Sequence, residues 1–594
     1  MKKFLAILLC LVMVLGCLVG CAKTETKQEE PKKDEPKKEE TKKEEPKKEE
    51  SKKEDTQQQE EKKDETPAWV PGQLPLVQPG EDNVVTVGIM QHAMIEDYET
   101  NATTLWIEEQ TGLDLQFVYF SADKGEAKTQ LNAMIAANEK LPDILTYFTA
   151  VSDSLRYELG EGGYFLDLTD YINDLGYWFW DAYDQLDPQA QLDLFAIGKD
   201  PSNGAFYGYP SYQVAEGTDA VNTGVMVNQL WLDKVGMKAP TTIDELYDLL
   251  VAFKEGGDLN GDGIENDIPM FGEYAGNRAD ITEWIINAYI FCCDQNFFNV
   301  TDGEFWVPYT TDEYREALKF LYKLYDEDLL SPLTFSIANT SEVKAITTPP
   351  EGSSLCGIFA SHPVNGLDPA NENTRNFVAL APLQDYTGKG GWAPLTGDTF
   401  EYKSFITADA KNPELCFKLL DFMACKESVN RMRNGVLGVD WEWAPEGSTT
   451  ANGTPASARI INNVWRTQNN VCWNMIHASI RPLGFLNSMY EDDGSTTAYR
   501  SLISKNIYNY YLDGKQPEQI CGYYIMYNTD EQEVVSDLKS GVTDYVDEAR
   551  ALFVSGVMDP NSDADWQTYL DNLNTLGLND FMAVTQSAWE RMNG

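Results

Sequence analysis

The sequence predicts a large α/β protein with two lobes, preceded by a leader and an unfolded tether. Three observations predict this fold class. Strand and helix patterns alternate from residue 84 onward, a charged low-complexity segment ends near residue 66, and about 530 residues of core-forming composition follow it. Such a length divides into more than one lobe, because single hydrophobic cores stop growing beyond about 250–300 residues.

The first twenty residues have the pattern of a bacterial lipoprotein signal peptide. Lys2 and Lys3 precede an apolar run over 5–19, and Leu-Val-Gly stands directly before Cys21. We expect residues 1–20 to be removed and Cys21 to receive diacylglycerol, which anchors the protein to the membrane. The run is too short for a lasting membrane span. Cys17 offers a weaker alternative site, and an ordinary signal with an incidental cysteine is the other interpretation.

Residues 21–80 are predicted to form a disordered tether behind the lipidated cysteine. Residues 23–66 consist mainly of Lys, Glu and Pro, with 14 Lys against 17 Asp and Glu and no aromatic residue. Such a segment cannot bury enough apolar surface to offset its conformational entropy. It therefore spaces the folded part from the membrane or the cell wall.

The acidic charge lies on the folded part of the chain. The sequence has 46 Lys and Arg against 95 Asp and Glu, and subtracting the tether, Lys2 and Lys3 leaves 30 against 78, a net charge near −48. A surface of this sign repels nucleic acid, so we expect no nucleic-acid partner.

The first lobe begins with alternating strands and helices. Strand patterns cover 84–89, 113–120 and 141–145, and helix patterns cover 103–110 and 127–139. This order implies a parallel sheet with right-handed crossovers, in which ligands bind at the carboxyl ends of the strands. A capping-box sequence over 242–245 predicts a helix to Lys254. Later helices are predicted over 311–326, 411–424, 530–553, 565–575 and 580–592.

Residues 258–269 have the spacing of a calcium-binding loop. Asp258, Asn260 and Asp262 supply oxygens at positions 1, 3 and 5, glycine at position 6 permits a sharp turn, and the carbonyl of Ile264 is the position-7 ligand. Pro269 stands where an EF-hand has its glutamate, so the loop is not an EF-hand. The alternative is a turn rich in Asp, Asn and Gly without a metal.

No catalytic motif stands out from the acidic background. The sequence contains no G-x-S-x-G, no phosphate-binding G-x-x-x-x-G-K-[ST] and no H-E-x-x-H. Nothing distinguishes a glycosidase acid and nucleophile among the many carboxylates. We therefore predict that the protein is not an enzyme.

A series of short motifs runs along the chain. They are Asp97 and Asn101 ahead of W-I-E-E-Q-T-G at 106–112, L-P-D-I at 141–144, G-Y-F-L-D-L at 163–168, F-Y-G-Y-P at 206–210, M-V-N-Q-L-W at 226–231, and later segments at 321–325, 405–407, 413–414, 566–569, 577–578 and 589–591. In order and spacing they resemble family 1 extracellular solute-binding proteins, specifically the large LipO-like lipoproteins. The resemblance covers nearly all of 82–594 and departs from the family in the tether and in 350–400.

The resemblance implies a two-lobe periplasmic-binding-protein-like fold of type II, like that of maltose-binding protein, with a hinge. We expect lobe 1 to comprise 81–210 and 353–404, and lobe 2 to comprise 211–352 and 405–594 with the C-terminal helices. It also implies that Asp267, with Asn266, completes a structural Ca²⁺ shell. The predicted metal ligands are thus Asp258, Asn260, Asp262, Ile264, Asn266 and Asp267.

A saccharide cleft needs aromatic platforms beside polar groups, because sugar rings have apolar faces and polar rims. The chain offers 14 Trp, 30 Tyr and 25 Phe. For each candidate an ordinary packing or surface role is the alternative. In the loops where the resemblance places the cleft, the candidate ligand-binding residues are Asp97, Asn101, Tyr147, Tyr212, Trp392, Trp441, Trp443, Trp473 and Arg481.

The predicted function is that of an extracellular solute-binding lipoprotein of an ABC importer in a Gram-positive bacterium. It captures a carbohydrate, rather an oligosaccharide than a monosaccharide, between its lobes and delivers it to the permease subunits. We expect a monomer, lipid-anchored at the outer face of the cell membrane. The alternatives are a secreted lipoprotein enzyme acting on polysaccharide and a peptide-binding or ligand-sensing protein of the same fold.

Overall fold

The computed structural model describes residues 69–221, 223–272, 279–293, 297–337, 339–361, 365–385, 390–517 and 525–593. The predicted signal peptide, the lipidation site Cys21 and the tether up to residue 68 lie outside the described residues. Within the described ranges, no helix combines the length and the apolarity needed to cross a membrane.

The strands, in chain order, are β1 (Val84–Met90), β2 (Asp114–Phe120), β3 (Ile144–Leu145), β4 (Tyr209–Gln213), β5 (Val225–Asn228), β6 (Ile268–Phe271), β7 (Asn299–Thr301), β8 (Glu304–Trp306), β9 (Cys356–Ala360), β10 (Phe377–Ala379), β11 (Thr399–Ile406), β12 (Trp441–Trp443), β13 (Ala458–Ile460) and β14 (Ser479–Arg481).

The α-helices are α1 (Ala102–Thr111), α2 (Lys124–Ala136), α3 (Asp153–Glu161), α4 (Thr169–Leu175), α5 (Trp178–Tyr183), α6 (Pro188–Gly198), α7 (Gln229–Val235), α8 (Ile243–Glu255), α9 (Ile281–Ile286), α10 (Asp312–Asp326), α11 (Thr340–Thr347), α12 (Pro413–Met423), α13 (Lys426–Asn434), α14 (Thr496–Leu512), α15 (Thr529–Val554), α16 (Asp563–Thr575) and α17 (Leu578–Asn593). Every predicted helix is present, with its ends within three residues of the predicted bounds.

The larger sheet has the strand order β14-β4-β11-β3-β1-β2. β1 is parallel to β2 and to β3, and β14 is parallel to β4. β11 is antiparallel to both of its neighbours, β3 and β4. Helices α1 and α2 connect the first parallel strands, which confirms the predicted α/β alternation. β11 runs the other way because the chain enters it from the opposite end of the sheet.

The third strand is shorter than predicted because side chains take the hydrogen bonds of its first residues. The N–H of Leu141 donates to a carboxylate oxygen of Asp409 (2.8 Å), and the N–H of Asp143 donates to the hydroxyl of Thr86 (2.8 Å). These residues therefore do not pair with a neighbouring strand, and only Ile144–Leu145 joins the ladder.

The smaller sheet has the order β10-β5-β9-β6. All residues of β5 and β9 are buried. Strands covered on both faces have this continuous apolar character. β9 is antiparallel to β5 and parallel to β6, so this sheet is mixed.

The buried apolar residues fall into separate groups around the two sheets. One set surrounds the larger sheet and includes Val87, Phe417 and Ile480. The other surrounds the smaller sheet and the C-terminal helices and includes Leu249 and Ile358. The protein thus has two lobes, as predicted. The chain passes between them after β4, before β11 and after β14.

The sheet pairing corrects the predicted lobe boundaries. Residues 353–404 were expected in the first lobe, but β9 and β10 pair with β5 in the smaller sheet, and the return to the larger sheet comes only with β11. Residues 405–594 were expected in the second lobe, but the part up to about Leu486 packs in the core of the larger sheet. The boundary is set by long-range strand pairing, which no local pattern reports.

The end of the predicted tether is also ordered. Leu76 and Val77 are buried in the core of the first lobe, and the N–H of Leu76 donates to the carbonyl of Thr111 (2.8 Å). The ammonium of Lys418 lies 4.1 Å from the ring centre of Trp69. The prediction of disorder for 69–80 was therefore wrong, because apolar residues in this stretch find partners on the lobe.

Candidate functional site

The edge of the larger sheet that faces the other lobe is formed by the carboxyl ends of its parallel strands. β1, β2, β3, β4 and β14 end at this edge, and the crossings after β4 and β14 leave from it. Ligands of open α/β sheets bind in the crevice outside these ends. We call this region the carboxyl edge; it includes Met90, Tyr147, Gln213 and Arg481.

Tyr147 lies at the centre of the carboxyl edge, two residues beyond β3. Its φ of 44° is in the left-handed region, which is strained for an aromatic residue. The hydroxyl of Ser404 on β11 accepts its backbone N–H (3.1 Å). Burial raises the pKa of Tyr147 to about 12, Glu401 adds to the rise and Arg481 opposes it. The phenol is therefore neutral at physiological pH and able to donate and accept hydrogen bonds.

His477 lies beside Tyr147, with ring centres 5.7 Å apart. It is only 2% exposed, and its Nδ1 atom is 2.9 Å from the hydroxyl of Thr146. Burial, and then the proximity of His92, lower the pKa of His477 to about 3. The imidazole is thus neutral at physiological pH, and its ring packs against that of Tyr147.

Glu401 and Arg481 bring opposite charges to the same edge. Burial raises the pKa of the half-buried Glu401 carboxyl, against the opposing effects of Lys403, Arg481 and Lys124. Among the described residues no hydrogen bond to its carboxylate is present. Arg481 donates from Nε to the carbonyl of Tyr212 (3.2 Å). The edge therefore combines an aromatic ring with a carboxylate and a guanidinium, which suits the hydroxyl groups of a sugar.

Three of the predicted ligand-binding residues lie close to the carboxyl edge, two of them buried and one exposed. Asn101 is buried; it accepts the N–H of Thr103 as the cap of α1 and donates to the carbonyl of Cys472 (3.0 Å). Trp473 is also buried and donates to the hydroxyl of Thr104 (2.9 Å). The carboxylate of the exposed Asp97 accepts the N–H of Glu99 (3.0 Å). Asn101 and Trp473 thus have structural partners instead of facing a ligand.

Three further candidates lie near the hinge and on the two-stranded ribbon of β12 and β13. The buried Tyr212 donates its hydroxyl to Asp398 (2.5 Å). Trp441 is fully buried and donates to the carbonyl of Gly435 (2.9 Å). Trp443 is 42% exposed and contacts the face of Trp441 edge-on, with ring centres 4.8 Å apart. Of these three, only Trp443 has a surface that a ligand could reach.

Trp392 belongs to the other lobe. Its backbone N–H donates to the carbonyl of Asn287 (3.2 Å), and its ring lies 5.8 Å from that of Phe291. The ammonium of Lys515 lies 3.7 Å from its ring centre. The ring is partly exposed and Lys515 covers one of its faces, so a sugar would have to stack on the other face.

The acidic loop after α8 folds around its own first side chain. Asp258 accepts the N–H groups of Gly261 (2.6 Å), Asp262 (3.0 Å) and Gly263 (2.8 Å). Asn260 accepts the N–H of Asp262 (2.8 Å), and both Gly261 and Gly263 have left-handed φ values. Asn266 donates its N–H to the carbonyl of Ile264 (3.0 Å). The sequence pattern therefore produces a compact turn held by its own hydrogen bonds, an arrangement common to the predicted calcium loop and to its metal-free alternative.

Asp267 closes this loop and carries its unsatisfied atom. Its Oδ2 atom accepts the N–H groups of Leu259 and Asn260, whereas its Oδ1 atom is buried and has no hydrogen-bond partner among the described residues. Burial raises the pKa of Asp267, the N–H donors lower it, and Asp258 and Asp262 raise it. An orphaned buried carboxylate oxygen beside two further carboxylates fits a hard cation.

The described side chains do not, however, converge on one point as a finished metal centre. No group of three His, Cys, Asp or Glu residues in the described ranges is close enough together to hold an ion. A cation here would draw Asp258 and Asp262 away from their N–H partners, or take amide and carbonyl oxygens such as those of Asn260 and Ile264.

The sequence analysis missed Glu401 and His477. Both lie on or next to strands of the hinge side, β11 and β14, whose position in the sheet is set by long-range pairing. A weak signal existed for Glu401: it is the one acidic residue of β11, between Phe400 and Tyr402. His477 is one of only three histidines in the chain.

Comparison with known proteins defines the class to which this architecture corresponds. No family model matches the chain. Sequence relatives and structural neighbours are ABC substrate-binding and solute-binding proteins, so the predicted resemblance to family 1 extracellular solute-binding proteins and the predicted two-lobe fold are confirmed.

Three matches are specific. The fructooligosaccharide ABC transporter substrate-binding protein FusA of Streptococcus pneumoniae is 23% identical over 508 residues, which cover 82% of this chain and 86% of that protein. Lipoprotein LipO of Bacillus subtilis is 25% identical over 291 residues, 48% of this chain and 53% of that protein. The structure of an EF-hand mutant of S. pneumoniae FusA in complex with fructo-nystose has a TM-score of 0.66 at 20% identity, covering 86% of this chain and 99% of that one.

Proposed function

We propose that this protein is the extracellular solute-binding component of an ABC importer and that it captures an oligosaccharide between its lobes. The observation that carries the proposal is the carboxyl edge, where Tyr147 lies beside Glu401 and Arg481 within reach of their charges. FusA, a relative over most of the chain, is a fructooligosaccharide-binding protein by name. The relatives are substrate-binding proteins, and the proposed action is binding without bond cleavage.

Capture works through closure of the two lobes. Three chain segments connect the lobes, so they can move about this hinge while each core stays intact. An oligosaccharide that contacts Tyr147 on one lobe and Trp392 on the other binds the closed state better than the open state. It therefore shifts the population toward closure, and the permease subunits recognise the closed form.

Ligand binding is tested by thermal unfolding against panels of oligosaccharides and of peptides. A ligand that binds only the folded state stabilises it by about 2.7 kcal/mol at a concentration 100-fold above Kd. We expect an upward shift of the unfolding midpoint with an oligosaccharide and no shift with peptides. Shifts with peptides alone would favour the peptide-binding alternative, and release of new reducing ends from the bound glycan would establish the enzyme alternative instead.

A matched pair of variants places the binding at the carboxyl edge. Tyr147→Ala removes the aromatic platform, and we expect it to weaken oligosaccharide binding by at least about 10-fold, as loss of a buried aromatic anchor does. Tyr164→Ala is the control, because Tyr164 is an exposed tyrosine next to Phe165, which bridges to Thr407 at the opposite end of β11. Equal affinity in both variants would refute the carboxyl edge as the binding site.

We also propose that the loop over 258–269 binds Ca²⁺ in a structural role. Asp258, Asp262 and Asp267, with Asn260, Asn266 and the carbonyl of Ile264, are the residues that would hold it. The orphaned Oδ1 atom of Asp267 supports this proposal. The ion would neutralise three neighbouring carboxylates and fix the turn between α8 and β6. Calcium added after chelation should raise the unfolding midpoint, and magnesium should not replace it.

The leader sequence supports a proposal for the cellular location of the protein. We propose that Cys21 carries diacylglycerol and that the protein, a monomer, stands at the outer face of the cell membrane beside the permease. Cys21→Ser should release it into the medium, whereas Cys17→Ser should leave it attached. Release by the second substitution and not by the first would move the lipidation site.

A further inference from the structure

A small cavity lies at the hinge end of the carboxyl edge. Its volume is about 190 Å³, and it is bounded by the ends of β4 and β14, by the crossing after β4 and by the turn between β12 and β13. Gln213 and Arg481 line it from the sheet, and Thr450 and Asn452 line it from the turn. A cavity of this size is smaller than the roughly 300–1,000 Å³ of a site for a whole drug-sized ligand, so it suits a single sugar residue.

The charged groups of this hinge cavity are two arginines and one glutamate. Arg433 and Arg481 line it together with Glu216, which gives the lining a net charge of +1 in a folded part whose net charge is near −48. Arg433 is positioned by Trp465, with the guanidinium 5.1 Å from the ring centre, and Arg481 is fixed by its bond to the carbonyl of Tyr212. Guanidinium groups held in this way are suited to bind a carboxylate.

Two side-chain amides of the lining have an atom without a hydrogen-bond partner among the described residues. The Oδ1 atom of Asn452 and the Nδ2 atom of Asn487 are buried, and neither has a hydrogen-bond partner among the described residues. Both atoms are closed off from the cavity, so a ligand reaches them only when these amide side chains turn toward it, and the free-energy cost of leaving buried polar atoms unpaired favours that turn. The turn that carries Asn452 is braced by the hydroxyls of Thr450 and Thr454, which are 2.7 Å apart.

The hinge cavity and the carboxyl edge have Arg481 in common. This residue lines the cavity and also acts on the pKa of Tyr147, which lies three strands away in the sheet. At about 4.8 Å between neighbouring strands, the two positions are separated by roughly 14 Å. A chain of a few sugar residues can therefore extend from Tyr147 and end in the cavity.

We propose that the hinge cavity is a terminal subsite that selects an acidic sugar residue, a uronate, at the end of the captured oligosaccharide. The carboxylate binds Arg433 and Arg481, and the ring hydroxyls and ring oxygen meet Asn452 and Asn487. This inference rests on the proposed oligosaccharide-binding function and adds a substrate class to it.

The test measures calorimetric affinities of the purified protein for matched acidic and neutral ligands. The probes are trimers of galacturonic acid and of galactose, and glucuronate-terminated and glucose-terminated disaccharides. We expect the acidic member of a pair to bind at least about 10-fold more tightly, which corresponds to one charge-assisted pair of hydrogen bonds. Raising the salt concentration from 50 to 500 mM should weaken only the acidic member.

Variants separate selection by the cavity from a general loss of binding. Arg433→Gln should abolish the preference for the acidic member and leave the affinity for the neutral one unchanged. Arg459→Gln is the control: Arg459 pairs with Glu442 and Glu491 on the ribbon outside the cavity, and its loss should leave the preference intact. If Arg433→Gln misfolds, it will bind neither the acidic nor the neutral ligand. Arg433→Lys, which retains the charge, should in that case bind the neutral ligand with the affinity of the unmodified protein and keep part of the preference for the acidic one.

The outcomes distinguish this inference from the function on which it rests. Equal affinities for the acidic and neutral members in the unmodified protein, or an equal loss of both in folded Arg433→Gln, overturn the uronate subsite while oligosaccharide capture stands. If neither the probes nor a wider panel of neutral and acidic oligosaccharides binds, the proposed function itself fails, and the subsite fails with it.

Discussion

Asp398 and Tyr212 tie together two of the three segments that connect the lobes. Tyr212 donates its hydroxyl to Oδ2 of Asp398 (2.5 Å), and the N–H of Ala215, in the crossing after β4, donates to Oδ1 of the same carboxylate (2.8 Å). Asp398 lies immediately before β11, where the chain returns to the first lobe. The two crossings therefore share one carboxylate at the hinge.

Replacing Tyr212 by phenylalanine tests this tie. Burial and the adjacent Asp398 carboxylate raise the pKa of Tyr212, so its hydroxyl stays protonated and donates at all physiological pH values. Tyr212→Phe removes the donor without changing the packing, and we expect the free energy of unfolding to fall by about 1–3 kcal/mol. Urea denaturation measures the change. Tyr164→Phe is the control on an exposed ring, and equal stability of the two variants would show that the tie contributes nothing.

Tyr212 also illustrates what the sequence could and could not predict. The lobe boundary predicted at residue 210 lies within β4, directly before the crossing to the second lobe, and the candidate aromatic residue follows it by two positions. The ring nevertheless faces the core against Phe400, with ring centres 4.9 Å apart. Which side of a strand is covered depends on the helices and strands that pack on it later, and local sequence does not contain that information.

Elements with local sequence signals were predicted correctly, whereas elements whose position depends on long-range strand pairing were not. β1, α1 and β2 follow from alternation, from the cap at Asn101 and from Gly112, which are all local signals. β11 returns to the larger sheet almost two hundred residues after β4, and its partners could not be deduced from its own residues. Glu401 was missed for this reason. Asn101 was noticed as a motif residue, but its side chain caps a helix.

Asp143 should make the stability of the first lobe dependent on acid. Burial disfavours its charged form, but the N–H and hydroxyl of Thr86, the N–H of Lys411 and the ammonium of Lys140 outweigh burial and lower the pKa of Asp143. A carboxyl whose pKa is lower in the folded state stabilises the protein above its ordinary pKa of about 4 and loses this effect as the pH falls further.

The variant Asp143→Asn tests that pH dependence. At pH 7 it should lower the free energy of unfolding by about 1.5–3 kcal/mol, because hydrogen bonds to a charged acceptor are replaced by weaker ones. Near pH 3 the difference from the unmodified protein should narrow, since the native carboxyl begins to be protonated. Urea denaturation at both pH values measures this, and a constant difference would contradict the assigned pKa direction.

Arg550 and Asp280 form an ion pair between α15 and the start of α9 that is almost fully buried. The guanidinium nitrogen lies 3.1 Å from Oδ2 of Asp280, and the two side chains are 4% and 1% exposed. The other oxygen of Asp280 accepts the N–H and hydroxyl of Thr282 (2.8 and 2.7 Å). The pair thus joins a C-terminal helix to the core of the second lobe.

Breaking this pair should be strongly destabilising. Arg550→Ala leaves a buried carboxylate without its cation, and the expected loss is about 3–5 kcal/mol. Arg459→Ala breaks the exposed pair with Glu442 and is the control, with no measurable change expected. Thermal and urea unfolding of both variants give the comparison. Similar midpoints for the two would mean that the buried pair does not hold the C-terminal helices in place.

The charged carboxylate of Asp267 should destabilise the protein when no metal is bound and stabilise it when calcium is bound. Asp267 is therefore the residue that tests the metal loop most directly. Without a metal, burial and the neighbouring Asp258 and Asp262 raise the pKa of Asp267, although two N–H donors oppose the rise. A carboxyl whose pKa is raised on folding costs stability once the pH rises above its ordinary value. Asp267→Asn should therefore stabilise the chelated protein at pH 7 and remove the stabilisation that calcium gives the unmodified chain.

Calcium should also bind the unmodified protein more weakly at pH 5 than at pH 7, because the proton and the ion compete for the same carboxylate. Unfolding midpoints with chelator and with calcium at the two pH values measure all three effects. If calcium shifts no midpoint and Asp267→Asn destabilises the chelated protein, the loop is a turn held by its own hydrogen bonds, and its carboxylates serve no ion.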